Sequence, residues 1–168
     1  YKVAIEAAKG KRPDNKVRPS VLALTRQALP NLAGSSIEGV TKGAYIISDS
    51  DGTPDIIFIG TGSETQLCVK AAEQLRGEGK KVRVVSMPCW EIFEEQTPEY
   101  KESVLPKAVK KRVSVEAAVT FGWCRYVGSE GIAIGIDQYG SSAPGNVCME
   151  KFGFTVDNVL AKAKSLLG

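Results

Sequence analysis

Hydrophobic positions along this chain switch between two spacings, one characteristic of buried strands and one of helices facing a core. Ile56-Ile57-Phe58-Ile59 is a continuous apolar run bounded by polar turns, as expected of a strand covered on both faces. After Gly60-Thr61-Gly62 the period changes. Leu67, Cys68, Ala71, Ala72 and Leu75 recur at helical spacing and predict one apolar stripe. Ser63 with Gln66 three residues on predicts a capping box at the start of this helix, and Gly77 and Gly79 predict its stop. Further strands are predicted over 20–24, 44–48, 82–86, 113–116 and 132–136. Pro98, preceded by Thr97, suits a first helical position, and Pro106 limits that helix. A short helix is predicted over 122–127. A final helix from Thr155 has Val156, Val159, Leu160, Ala163, Leu166 and Leu167 as its core face. Strands alternating with helices predict an α/β fold, a three-layer domain with a mainly parallel sheet of about five strands.

The regular pattern begins only after a linker, Pro30-Asn31-Leu32-Ala33-Gly34-Ser35-Ser36. The preceding stretch holds a short 1–8 segment, a basic loop and the 20–24 strand. It is too small to enclose its own core. Residues 1–34 are therefore expected to be the end of a preceding domain plus a connector, and 35–168 the domain proper. A start on Tyr1 with no initiator Met fits a piece of a longer chain.

Composition narrows the chemistry more than the class. The 168 residues are 43% hydrophobic and 24% charged, sufficient for a globular core. No apolar run approaches the roughly 20 residues that cross a bilayer, so no membrane association is expected. Net charge is +3. The basic residues gather at Lys9, Lys11, Arg12, Lys16 and Arg18 and at Lys107, Lys110, Lys111 and Arg112. Neither group is interleaved with stacking aromatics, so solvated surface is the expectation and no nucleic-acid partner is inferred. Histidine is absent, which excludes Ser-His-Asp and Cys-His devices within the chain. Cys68, Cys89, Cys124 and Cys148 form no C-x-x-C pair and are expected as reduced thiols.

Several residues remain as candidates. Gly60-Thr61-Gly62-Ser63-Glu64 stands where backbone N–H groups can cradle an anion, yet lacks a third glycine and a P-loop lysine, and Glu64 would repel phosphate. A structural turn that lets helix and sheet pack closely is the simpler expectation. Glu116 places a carboxylate in a strand, as a general base or as a structural partner of an Arg or a backbone donor. Asp137, past a strand end, is expected to hydrogen-bond within its own polar loop. Trp90, Phe93, Phe121 and Trp123 fit a subunit interface or loop-capping core equally. Arg26 directly follows the 20–24 strand at its carboxyl end, where a guanidinium can hold a phosphate bidentately or form an ordinary salt bridge.

A series of motifs then bears on identity. Leu22-Ala23-Leu24-Thr25-Arg26-Gln27-Ala28-Leu29-Pro30-Asn31-Leu32 and Gly34-Ser35-Ser36-Ile37-Glu38-Gly39-Val40 resemble the junction between the middle and C-terminal domains of transketolases, with a plant and cyanobacterial flavour. Pro54 through Glu64, Val82-Arg83-Val84-Val85-Ser86-Met87-Pro88, Glu99 through Pro106, Ser114-Val115-Glu116-Ala117, Thr120-Phe121-Gly122-Trp123 and Ala133-Ile134-Gly135-Ile136-Asp137 continue the resemblance in order. It implies that residues 1–34 end a pyrimidine-binding middle domain and that 35–168 form the C-terminal domain. It also implies a homodimeric enzyme moving a two-carbon ketol unit from a ketose phosphate to an aldose phosphate, in the pentose phosphate pathway or Calvin cycle. Thiamine diphosphate and a divalent cation (Mg or Ca) are the implied cofactors, held by residues upstream of Tyr1, with none bound by this chain. No catalytic, cofactor or metal residue is then expected here, and the chain alone is expected to be inactive. Arg26 matches the family arginine that binds the sugar-phosphate group. Chloroplast stroma or cytoplasm is the implied location. Thr25 stands where Ser is usual, and the 10–17 stretch is longer than the usual connection. The C-terminal domain of a 2-oxoacid dehydrogenase β-subunit is an alternative, against which the Thr25-Arg26-Gln27 junction argues. A self-standing module binding a small ligand at the 60–64 turn is another.

Overall fold

The continuous apolar run of residues 56–59 becomes the centre of the molecule. In the computed structural model, which describes residues 1–11 and 15–168, β2 (Ile56–Gly60) is buried along its whole length. Alternate side chains of a strand point to opposite faces, so Ile56 and Phe58 enter one core while Ile57 and Ile59 enter another. The sheet has five strands in the order β1-β3-β2-β4-β5. Here β1 is Tyr45–Ser48, β3 Val82–Ser86, β4 Arg112–Val115 and β5 Ile132–Ile134. β3 and β4 flank β2 in parallel, β5 continues parallel beyond β4, and β1 closes the other edge antiparallel to β3. The expected mainly parallel α/β sheet is therefore formed.

Two helical layers cover it. α3 (Thr65–Gly77) and α8 (Val156–Leu167) lie on one face, with Cys68, Ala71, Ala72, Leu75, Val159, Leu160 and Ala163 in the core. On the other face, α4 (Trp90–Glu94), α5 (Pro98–Val104) and α6 (Cys124–Val127) supply Phe93, Val104, Tyr126 and Val127. α1 (Lys2–Ala8), α2 (Ile37–Thr41) and α7 (Gly145–Lys151) are peripheral. Thr97 caps α5 through the Tyr100 amide, and Thr155 caps α8 through that of Asn158.

Two expectations need correction, and three helices add to the prediction. Residues 20–24 form no strand: Val21 is 94% exposed, and no neighbouring strand pairs with them among the described residues. A β-prone sequence needs a ladder partner for its N–H and C=O groups, and propensity alone does not supply one. The capping box at Ser63 is also absent. A 3-10 turn over Gly62–Glu64 precedes α3, no side chain caps the helix, and the Ser63 hydroxyl is used elsewhere. The sequence predicts no helix over α2, α4 or α7. They span 5, 5 and 7 residues, too short to display a helical period. Arg12 and part of the 10–17 stretch lie outside the described residues.

Candidate functional site

Strand order places the site. From β2 the chain moves to β3 on one side, then crosses to β4 on the other, so the carboxyl ends of β2 and β4 form a topological switch point. Open α/β sheets bind ligands in such a crevice. Here the protein's own side chains fill it. Gly60 ends β2, and a Cβ on it would come within 2.6 Å of Thr65 Cα, so the close approach of α3 to the sheet requires glycine. Gly62 has a φ of +59°, a left-handed conformation that glycine adopts without strain. Glu64, only 4% exposed, accepts a hydrogen bond from the Ala117 backbone N–H at 3.1 Å and another from the Ser63 hydroxyl. The turn's own Thr61 and Glu64 N–H groups donate to the Val115 and Thr61 carbonyls, so the carboxylate is held from the connection after β4 and by the Ser63 hydroxyl. The structural-turn expectation describes the 60–64 segment, and Glu64 joins the β2 turn to the connection after β4.

Glu116 stands at the same end of the sheet. The indole N–H of Trp123 donates to it at 2.8 Å, so among the described residues its partner is an indole, not the expected arginine or backbone donor. Burial pushes the Glu116 carboxyl above its ordinary range; the Trp123 hydrogen bond opposes this, and the nearby Glu64 charge adds to it. Asp137 does not bond within its own loop. Both of its oxygens accept from Thr120, one from the backbone N–H and one from the hydroxyl, each at 2.8 Å. The two bonds hold its carboxyl below the usual range.

The four aromatic candidates divide. Trp123 is buried against Trp90, with ring centroids 4.9 Å apart and edge-to-face, and Phe93 is buried beside Tyr126 and Tyr100. These three are core or core-capping. Phe121 alone is 86% exposed. The second basic group divides in the same way. Lys107 and Lys110 are exposed, while the half-buried Arg112 guanidinium donates to the carbonyls of Tyr126, Pro106, Val109 and Leu105. All four cysteines are free, and burial pushes the Cys68 thiol up. Among the described residues, no three His, Cys, Asp or Glu side chains are grouped so as to hold a metal ion. No helix among them is long and apolar enough to cross a membrane.

Arg26 is exposed, and it forms no ion pair among the described residues. Its loop is nevertheless held. Thr25 Oγ1 accepts from the Gln27 backbone N–H at 3.2 Å, and the Gln27 side-chain amide donates to Ser63 Oγ at 3.4 Å. Two candidates that are far apart in sequence, the Arg26 segment and the 60–64 turn, are therefore neighbours. Gln27 and Ser63 also line a cavity of about 390 Å³ with Gln66, Asn146, Phe154 and Thr155. Gln27 carries no signal in the sequence beyond its place after Arg26.

The fold and its switch-point turn define an α/β domain with helices on both faces of a mainly parallel sheet, and comparison with known proteins specifies which. Residues 43–155 match the family model described as the transketolase-like TK C-terminal domain. The chain is 65% identical over 168 residues to a transketolase of the cyanobacterium Nostoc sp., covering all of this chain and 24% of that relative. It is 58% identical to a chloroplastic transketolase of Craterostigma plantagineum, covering 99% of this chain and 31% of that one. A solved transketolase from Leishmania mexicana superposes with a TM-score of 0.85 at 40% identity, over 99% of this chain and 24% of that chain. The chain belongs to the transketolase family, and it spans about a quarter to a third of the length of the relatives it matches.

Proposed function

We propose that this chain is the C-terminal part of a transketolase that moves a two-carbon ketol unit from a ketose phosphate to an aldose phosphate, and that Arg26 binds the sugar phosphate. The observation that carries the assignment is the Arg26 loop. Its guanidinium is exposed, while the Thr25 turn and the Gln27–Ser63 bond anchor the residues on either side of it. A guanidinium presented in this way can fork onto a phosphate with two parallel hydrogen bonds. Thr25 keeps the hydroxyl that this turn uses, so Thr in place of the usual Ser leaves the loop intact.

Residues 1–34 are assigned to the end of a preceding pyrimidine-binding domain plus linker, and 35–168 to the C-terminal domain. Support comes from the exposed apolar side chains of Val21, Leu22 and Leu24. The apolar groove of about 730 Å³ between α1, α2 and residues 18–22 supports the same division. Both are surfaces suited to packing against further chain. The thiamine diphosphate and divalent cation implied by the family do not fit this chain, which has no histidine and, among the described residues, no metal-holding cluster. Their ligands, and a homodimer partner, belong to a longer protein in the chloroplast stroma or cytoplasm, and the chain by itself is inactive.

The test is Arg26→Ala in the full-length protein. Removing a charge-assisted phosphate contact costs on the order of 1.5–3 kcal/mol, so KM for sugar phosphates rises about 10- to 100-fold. Affinity for thiamine diphosphate stays unchanged. An unaltered KM for both donor and acceptor phosphates would refute the assignment.

A further inference from the structure

We infer that Gln27, Ser63 and Glu64 form a positioning relay that fixes the Arg26 loop to the C-terminal domain and thereby tunes the Michaelis constant for phosphorylated substrates without touching them. The inference rests on the assignment of Arg26 made above.

The geometry begins with the most constrained member. Glu64 is buried, and both of its carboxylate oxygens are engaged, one by the Ala117 backbone N–H and one by the Ser63 hydroxyl. A buried carboxylate must keep such partners, because an unpaired one is costly. Glu64 is thus fixed by the connection after β4, at the switch point. A serine hydroxyl has one proton to donate and two lone pairs with which to accept. Ser63 spends its proton on Glu64, so it faces Gln27 as an acceptor only. The matching group is a donor, and the Gln27 side-chain amide supplies one at 3.4 Å. Thr25 Oγ1 then accepts from the Gln27 backbone N–H. Arg26 is the residue between the two halves of this turn. A chain of hydrogen bonds therefore runs from Ala117 through Glu64, Ser63 and Gln27 to the loop that carries the phosphate-binding guanidinium.

The relay has a polarity, and the polarity makes a specific prediction. Gln27→Ala removes the donor. Gln27→Glu replaces it with a charged acceptor facing another acceptor and should disturb the loop at least as much. Ser63→Ala removes the acceptor, whereas Ser63→Thr keeps a hydroxyl in place. The bond is long and partly exposed, so about two- to fivefold is the appropriate scale, corresponding to a modest neutral hydrogen bond.

The experiment is steady-state kinetics on the full-length protein with a ketose phosphate and with the same ketose lacking phosphate. Ser63→Ala and Gln27→Ala should raise KM for the phosphorylated donor by about two- to fivefold, with kcat and the kinetics of the unphosphorylated ketose unchanged. Gln27→Glu should be at least as impaired as Gln27→Ala, and Ser63→Thr should stay near the parent. In the Arg26→Ala background, Ser63→Ala should add nothing, since the relay acts only through that guanidinium. Hydrogen exchange should show faster exchange of the 25–27 amides in Ser63→Ala while β2 and α3 keep their protection, which separates the effect from general loss of structure. A raised KM for Arg26→Ala with parental KM for both relay variants overturns the relay alone. Equal effects on phosphorylated and unphosphorylated donors, or effects additive with Arg26→Ala, also overturn it. An unaltered KM for Arg26→Ala overturns both the relay and the assignment on which it rests.

Discussion

Replacing Arg112 by Met should be among the most destabilising single changes at a position that the sequence presents as surface charge. The guanidinium donates to four backbone carbonyls: Nη1 to Tyr126 at 2.6 Å, Nη2 to Pro106 at 2.8 Å and to Leu105 at 3.3 Å, and Nε to Val109 at 2.9 Å. These carbonyls belong to the connection between α5 and β4 and to the end of α6, so one side chain ties two connections to the first residue of β4. Methionine keeps the aliphatic stem and removes every donor. Hydrogen bonds from a charged donor contribute about 1.5–3 kcal/mol each when fully shielded, but water can reach this half-buried site, so about 1 kcal/mol per bond and about 4 in all is the expected loss. With a urea m-value of about 2 kcal/mol/M, that lowers the unfolding midpoint by about 2 M. Arg112→Lys should recover less than half, because an ammonium cannot present a planar fork to several acceptors. Urea unfolding of the 168-residue chain, followed by far-ultraviolet circular dichroism, makes the measurement. A midpoint shift below about 0.3 M for Arg112→Met at unchanged m would show that solvent replaces the guanidinium at no cost, and the argument would fail.

Other perturbations test the switch point. Glu116→Gln keeps an acceptor for the Trp123 indole and removes a charge held beside Glu64. Because the folded-state pKa of Glu116 is raised, the folded protein binds more protons than the unfolded one between the two pKa values, and stability falls as pH rises through that window. The variant should therefore match or exceed the parent in Tm at neutral pH and lose that advantage below the ordinary glutamate range. A Tm loss that is largest at neutral pH would contradict the assignment. Gly60→Ala places a Cβ 2.6 Å from Thr65 Cα, a backbone contact that cannot rotate away. It should cost about 1–3 kcal/mol, as overpacking does, visible as a Tm drop of several degrees; a Tm equal to that of the parent would mean that α3 has room to move.

The sequence by itself determined the central sheet and the long helices. Residues 56–59, 82–86 and the stripes of α3 and α8 are legible because burial imposes a period over enough residues to be counted. It also determined the position of Arg26 after an apolar segment and, through the ordered motifs, the family. Tertiary structure decided everything that depends on a partner distant along the chain. Residues 20–24 have strand composition but no ladder beside them among the described residues, so they stay irregular and exposed. Glu116 and Trp123 are seven positions apart, yet no sequence rule pairs an indole with a carboxylate at that spacing. Arg112 follows two lysines, and only the convergence of four carbonyls distinguishes it from its neighbours. Gln27 and Ser63 are 36 positions apart. Their meeting depends on where the linker brings residue 27 and where β2 ends, and that is fixed by packing two layers of helices on one sheet. Periodicity is a local property that a chain displays along its length, whereas hydrogen-bond partnership between distant side chains exists only once the chain has folded.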